Sequence, residues 1–203
     1  RRGYMWFLTQ EGVDRYDGKY IKHYNFSDDS IKLDSRIALN WLYMDSGNIL
    51  WVIGQKGRIF RYDSQHDKFK LAYIHPELIR NKPQAFLNYG YLDKNDRIWL
   101  CYKDSITWYD IRTGTTLHMP TPVNGEITAI EQTDSNHFFI GTGNGLFHAG
   151  IEKGKLNIMP DKMVEGIGTS VHELYYHAVS KQLFVGNYKE GILIYDMRGT
   201  GKI

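Results

Sequence analysis

The chain has 203 residues, enough for one sizeable core. Aromatics make up 14% of it, with fifteen Tyr and twenty Gly, a composition of strands and tight turns. A net charge of +2, with Lys and Arg scattered, is too near neutral for a nucleic-acid footprint, and a single cysteine excludes an intramolecular disulfide. No apolar run approaches the roughly 18 residues of a membrane-spanning helix and no signal peptide opens the chain, so it reads as an excised soluble piece.

Strand signals begin at once. Met5–Thr9 leads through Gly12 to Val13–Tyr16, and Lys19–Phe26 alternates as a half-exposed outer strand. Asp17-Gly18 between these strands predicts a two-residue hairpin turn with both central residues at positive φ. A polar connector, Ser27–Ser35, follows. The second repeat is complete, with strands at Arg36–Met44, Ile49–Ile53, Arg58–Tyr62 and Phe69–Ile74. The third runs through Phe86–Leu92, Arg97–Tyr102, Ile106–Tyr109 and Thr115–Met119, after a proline-punctuated connector long enough for a short helical turn. The fourth takes Glu126–Thr133, Phe138–Gly141, Gly145–Ala149 and Lys155–Met159. The fifth has Ser170–His177, Leu183–Val185 and Ile192–Tyr195, with no fourth strand apparent.

The aromatics that anchor the second strands stand at 6, 51, 99, 139 and 184, spaced by 45, 48, 40 and 45 residues. An all-strand period in this range is the signature of a β-propeller with one blade per repeat. The expected fold is therefore all-β: four to five blades of four antiparallel strands, at about 1–35, 36–83, 84–124, 125–168 and 169–203. The first repeat lacks its inner strand and the fifth its outer one. The two ends cannot complete one blade, and the residues read as an arc of a larger propeller, with a closed five-bladed ring as the alternative.

Leu50-Trp51-Val52-Ile53-Gly54, followed by Gly57-Arg58-Ile59-Phe60-Arg61-Tyr62-Asp63, resembles the regulator-propeller repeat of bacterial hybrid two-component sensors. So do Trp6…Glu11-Gly12-Val13-Asp14-Arg15-Tyr16-Asp17-Gly18…Tyr24 and Phe139-Ile140-Gly141-Thr142…Gly145-Leu146. The resemblance covers essentially the whole chain. Cys101-Tyr102 departs from Gly-Thr in the third repeat, and His148-Ala149 from Tyr-Asp in the fourth. The resemblance implies a periplasmic segment of an inner-membrane histidine kinase, dimeric in its parent. It also implies an oligosaccharide ligand and control of glycan-utilisation genes. The remaining blades and downstream domains would be its partners, with no direct nucleic-acid contact and no cofactor.

Most motif residues have structural readings. Trp6, Trp51 and Trp99 sit where blades pack, and Cys101 is a small buried apolar residue. Asp17, Asp63, Asp110 and Asp196 follow Tyr at strand ends, where a carboxylate can accept turn N–H groups. His172 and His177 are five apart in a strand, so their rings point to opposite faces and make no metal pair. Gly141-Thr142-Gly143-Asn144-Gly145 has no following helix or Lys and reads as a hairpin, not a phosphate loop. No catalytic or metal-binding set is assigned. The ligand face of a propeller is built from outer-to-inner connectors and second-to-third-strand turns, which nominates Arg36, Asn40, Gln84, Asn88, Tyr102, Asn144, His172 and Tyr188. Aromatic planes, amides and a guanidinium suit a sugar. A lyase-like propeller enzyme and a protein-interaction scaffold are the competing classes.

Overall fold

The computed structural model describes residues 3–26, 38–76, 86–159, 170–198 and the backbone of 201–202. Arg36, Gln84, most of both connectors ahead of the second and third repeats, and part of the connector ahead of the fifth lie outside the described residues. The chain divides into two compact units, Arg1–Gly90 and Tyr91–Ile203.

The first unit holds two sheets. One consists of β1 (Met5–Leu8), β2 (Val13–Tyr16) and β3 (Ile21–Tyr24), and lacks the inner strand, as the sequence predicts. The other runs β4 (Leu39–Met44), β5 (Leu50–Gly54), β6 (Arg58–Asp63) and β7 (Lys68–Ile74), with a short 3-10 turn at Gln55–Gly57. The third sheet takes β8 (Tyr89–Leu92), β9 (Arg97–Cys101), β10 (Ser105–Asp110) and β11 (Thr116–Pro120) in order. The fourth is β12 (Ile127–Gln132), β13 (His137–Thr142), β14 (Gly145–Glu152) and β15 (Lys155–Ile158). The fifth is β16 (Val171–His177), β17 (Gln182–Asn187), β18 (Gly191–Asp196) and β19 (Gly201–Lys202). Each is an up-and-down meander, the unit of a propeller blade.

Two expectations are corrected. The fifth repeat does have a fourth strand: Tyr195 pairs with Lys202 and Asp196 with Gly201. Two residues are too short to give a period-2 signal. At Asp17-Gly18 only the glycine has positive φ. The loop is longer than two residues because the Asp17 carboxylate accepts the N–H groups of Lys19 and Tyr20, at 2.8 and 2.7 Å.

The other strand-end aspartates act as expected. Asp63 accepts from Gln65 and His66, Asp110 from Arg112 and Thr113, and Asp196 from Arg198. A second set of turn aspartates does more. Asp93 is buried, yet Oδ1 accepts the Asn95 and Arg97 N–H groups while Oδ2 accepts Arg97 Nε at 2.7 Å and Trp99 Nε1 at 2.8 Å. Asp45 holds the Ile49 N–H and Trp51 Nε1 in the same way. In the fourth repeat Phe139 replaces the Trp and has no N–H to satisfy. There the corresponding residue is Thr133, whose hydroxyl donates to the His137 carbonyl.

Candidate functional site

Three inner strands carry a register shift at the same place: between Leu39 and Trp41, between Ile127 and Ala129, and between Val171 and Glu173. The residues inside these bulges are Asn40, Thr128 and His172. Asn88, after Leu87, holds the same place in the third repeat. A bulge leaves one residue outside the ladder and re-aims its side chain, and such sites recur beside binding sites. Three nominated residues thus fall on one repeated position. Thr128 belongs with them and was missed, although the apolar-polar pairs Leu39-Asn40, Leu87-Asn88, Ile127-Thr128 and Val171-His172 spell it out.

The chain entering an inner strand meets the turn between the second and third strands. Gln55 N–H donates to Ala38 O at 2.7 Å in the second sheet, and Gly143 N–H to Glu126 O at 3.4 Å in the fourth. Asn144, on that fourth-sheet turn, lies against Gly125, whose absent Cβ would stand 3.0 Å from Asn144 Nδ2. Thr142 ties the turn from inside: its hydroxyl donates to Gly145 O and accepts the Asn144 N–H.

In the fifth sheet this meeting brings two nominated residues together. The His172 and Tyr188 rings are 4.0 Å apart at their centroids, and Tyr188 is 86% exposed. Ser170 Oγ is 2.9 Å from His172 Nε2. Asn187 shapes the adjoining turn, its Oδ1 accepting the N–H groups of Lys189 and Glu190 at 2.9 and 2.7 Å. That bond pattern leaves Asn187 Nδ2 a buried donor without a partner among the described residues. Sequence reasoning passed over Ser170 and Asn187, because neither residue type is distinctive without the fold.

The remaining nominees are dispersed. Asn40 is exposed and Asn88 half-buried in the first unit. Tyr102 is buried in the second, where its N–H donates to Ser105 O at 2.8 Å. His172 and His177 sit in differently exposed rows of β16, and the five-residue spacing separates them as expected. Among the described residues, no group of three His, Cys, Asp or Glu is placed to hold a metal.

No family model and no curated protein matches the chain. Solved structures do. The extracellular domain of the Bacteroides thetaiotaomicron system BT4673 is similar at 16% identity and TM-score 0.68, over 96% of this chain and 26% of that one. That of the hybrid two-component system BT3049 from the same organism is similar at 16% identity and TM-score 0.62, over 98% and 33%. A virginiamycin B lyase from Staphylococcus aureus, solved with quinupristin, is similar at 14% identity and TM-score 0.70, over 97% and 64%. The chain spans about a quarter to a third of the extracellular domains it matches. At these identities the likeness is one of fold: the chain is a run of β-propeller blades, similar to those of extracellular two-component sensor domains, as its repeats resemble.

Proposed function

We propose that the chain is a ligand-sensing part of the extracytoplasmic propeller region of a hybrid two-component sensor. The ligand is an oligosaccharide and the output is control of glycan-utilisation genes. The observation that carries this reading is the fold likeness to extracellular domains of such systems across nearly the whole chain. The His172–Tyr188 lip supports it. An exposed aromatic plane, a ring nitrogen bonded to Ser170 and the unpartnered amide donor of Asn187 offer stacking and directional hydrogen bonds to a hydroxyl-rich ligand. In the parent protein this segment lies outside the inner membrane, pairs with further blades and a second copy, and is followed by the kinase and a DNA-binding regulator. This segment itself touches no nucleic acid.

Calorimetric titration of an oligosaccharide panel tests the site. We expect one glycan class to bind, with Tyr188→Ala and His172→Ala each weakening it at least about tenfold, near 1.4 kcal/mol, at unchanged thermal stability. Binding that ignores both substitutions removes this lip from the site. A panel with no binder removes the sugar. The competing reading is a lyase-like propeller enzyme, as in the virginiamycin B lyase of similar fold, and it predicts instead turnover of quinupristin.

A further inference from the structure

We propose that the fourth blade carries a site for a soft monovalent cation, Cu(I), formed by His137, His148 and Met159 around Gly150. The register places these side chains together. His137 lies opposite Gly150 and Phe139 opposite His148 across β13 and β14. Met159 N–H donates to the His148 carbonyl at 2.8 Å, which sets Met159 beside His148 at the end of β15. Opposed residues and residues two apart share one face of a sheet, so all three project from the same side.

Gly150 leaves the middle of that group without a side chain. A Cβ there would stand 2.7 Å from the Met159 sulfur and 3.6 Å from His137 Cδ2, so both neighbours lean over the hollow. The two imidazole centroids are 5.8 Å apart. Two ring nitrogens can converge on one ion at that separation, each about 2 Å from it. Asp134 adds an independent indication: its Oδ2 lies 2.8 Å from His137 Nδ1, fixing the ring and leaving Nε2 as the nitrogen that would bind. A carboxylate on the far ring nitrogen is the usual orienting partner of a metal-binding histidine. His137 is 41% exposed in its side chain, so an ion can enter.

The ligand set decides the ion. Two imidazoles and a thioether make a soft, three-ligand site suited to Cu(I), whereas hard divalent ions require carboxylate and carbonyl oxygens. Cys101 does not compete: it is fully buried, and burial pushes its thiol far above the ordinary range, keeping it protonated.

The test is an anaerobic Cu(I) titration of the 203-residue chain against bathocuproine disulfonate, with X-ray absorption of the loaded protein. We expect one Cu(I) per chain in a shell of one sulfur and two nitrogens. Asp134→Asn should weaken binding about tenfold, and Met159→Leu and His148→Gln by more than the about 10–100-fold that losing an orienting carboxylate costs. Met159→Leu keeps the volume and so separates ligation from packing. A wild-type chain that leaves its copper with the chelator overturns the site. So does a Met159→Leu variant that binds as tightly, or a shell without sulfur.

Discussion

The contact between the first two sheets and the contact between the last two solve one packing problem in opposite ways. In the first unit Trp6, Tyr24, Tyr62 and Phe69 crowd together with ring centroids 4.9–6.1 Å apart. The two tyrosine hydroxyls converge on Asp67, which accepts from them and from Arg15 and Lys22 at 2.5–2.7 Å. The Arg15 guanidinium lies 4.5 Å from the Tyr4 ring centroid. In the second unit the last two sheets meet over a largely apolar cluster of Phe139, Leu146, Val171, Leu183, Val185, Leu193 and Tyr195. Thr128 spans that seam by donating to the Val171 carbonyl, and Glu131 by accepting the Tyr176 N–H. Burial pushes the Glu131 carboxyl above its usual range. The first seam gathers its tyrosine hydroxyls on one carboxylate, whereas the second is apolar at its centre and is bridged by separate hydrogen bonds to backbone groups.

Removing an anchor tryptophan should have the largest effect, and in the second unit that residue is Trp99, where the third sheet packs on the fourth. Trp99 is fully buried against Trp108 and Phe138, at centroid distances of 4.9 and 4.8 Å. Trp99→Ala should cost about 3–5 kcal/mol, partly because Asp93 loses a donor, read from the denaturant midpoint. Trp51→Ala belongs in the same range, whereas half-buried Trp6 should cost less. Equal losses at Trp6 and Trp99 would break the comparison.

Close approach of the backbones can be sharpened with two glycines at one repeat position. A Cβ on Gly141 would stand 2.5 Å from Val171 Cγ1, whereas one on Gly186 meets nothing nearer than 3.4 Å. Gly141→Ala should therefore cost about 1–3 kcal/mol through overpacking. Gly186→Ala should stay within about 0.5 kcal/mol. Val171→Ala in the Gly141→Ala background should recover part of the loss, since the two share one gap.

The strands were legible because their period-2 patterns and turn residues recur; Trp51 and Trp99 mark the same strand in two blades. The site was legible only in part. His172 and Tyr188 could be nominated from their place in the repeat, but their tilted ring contact at 4.0 Å depends on a bulge that no alternation pattern reveals. Tyr102 follows the Trp99 strand, where side chains that read as polar are taken into the core. Asp67 was invisible: it looks like any turn acid, and its partners lie 43–52 residues away except for Tyr62.

A smaller loss than those at Trp99 and Gly141 is expected at that aspartate. Burial pushes the Asp67 carboxyl up, but hydrogen bonds from Lys22, Tyr62, Tyr24 and Arg15 outweigh it and hold the group well below the usual carboxylate range. Because its folded value lies below the ordinary 3.8, the charged form stabilises the fold above that pH. The contribution is lost as pH falls below 3.8 towards the folded value. The Asp67 side chain is 38% exposed, so solvent and salt screen the pairs, and Asp67→Asn should cost on the order of 1 kcal/mol near pH 7 in low salt. The gap between wild type and variant should narrow in about 1 M salt, and narrow again as acid protonates the carboxylate. Denaturant titrations of both chains at two salts and two pH values check this. A gap that ignored both would mean that Asp67 holds the sheets through the geometry of its left-handed turn, at φ +48°, and not through its charge.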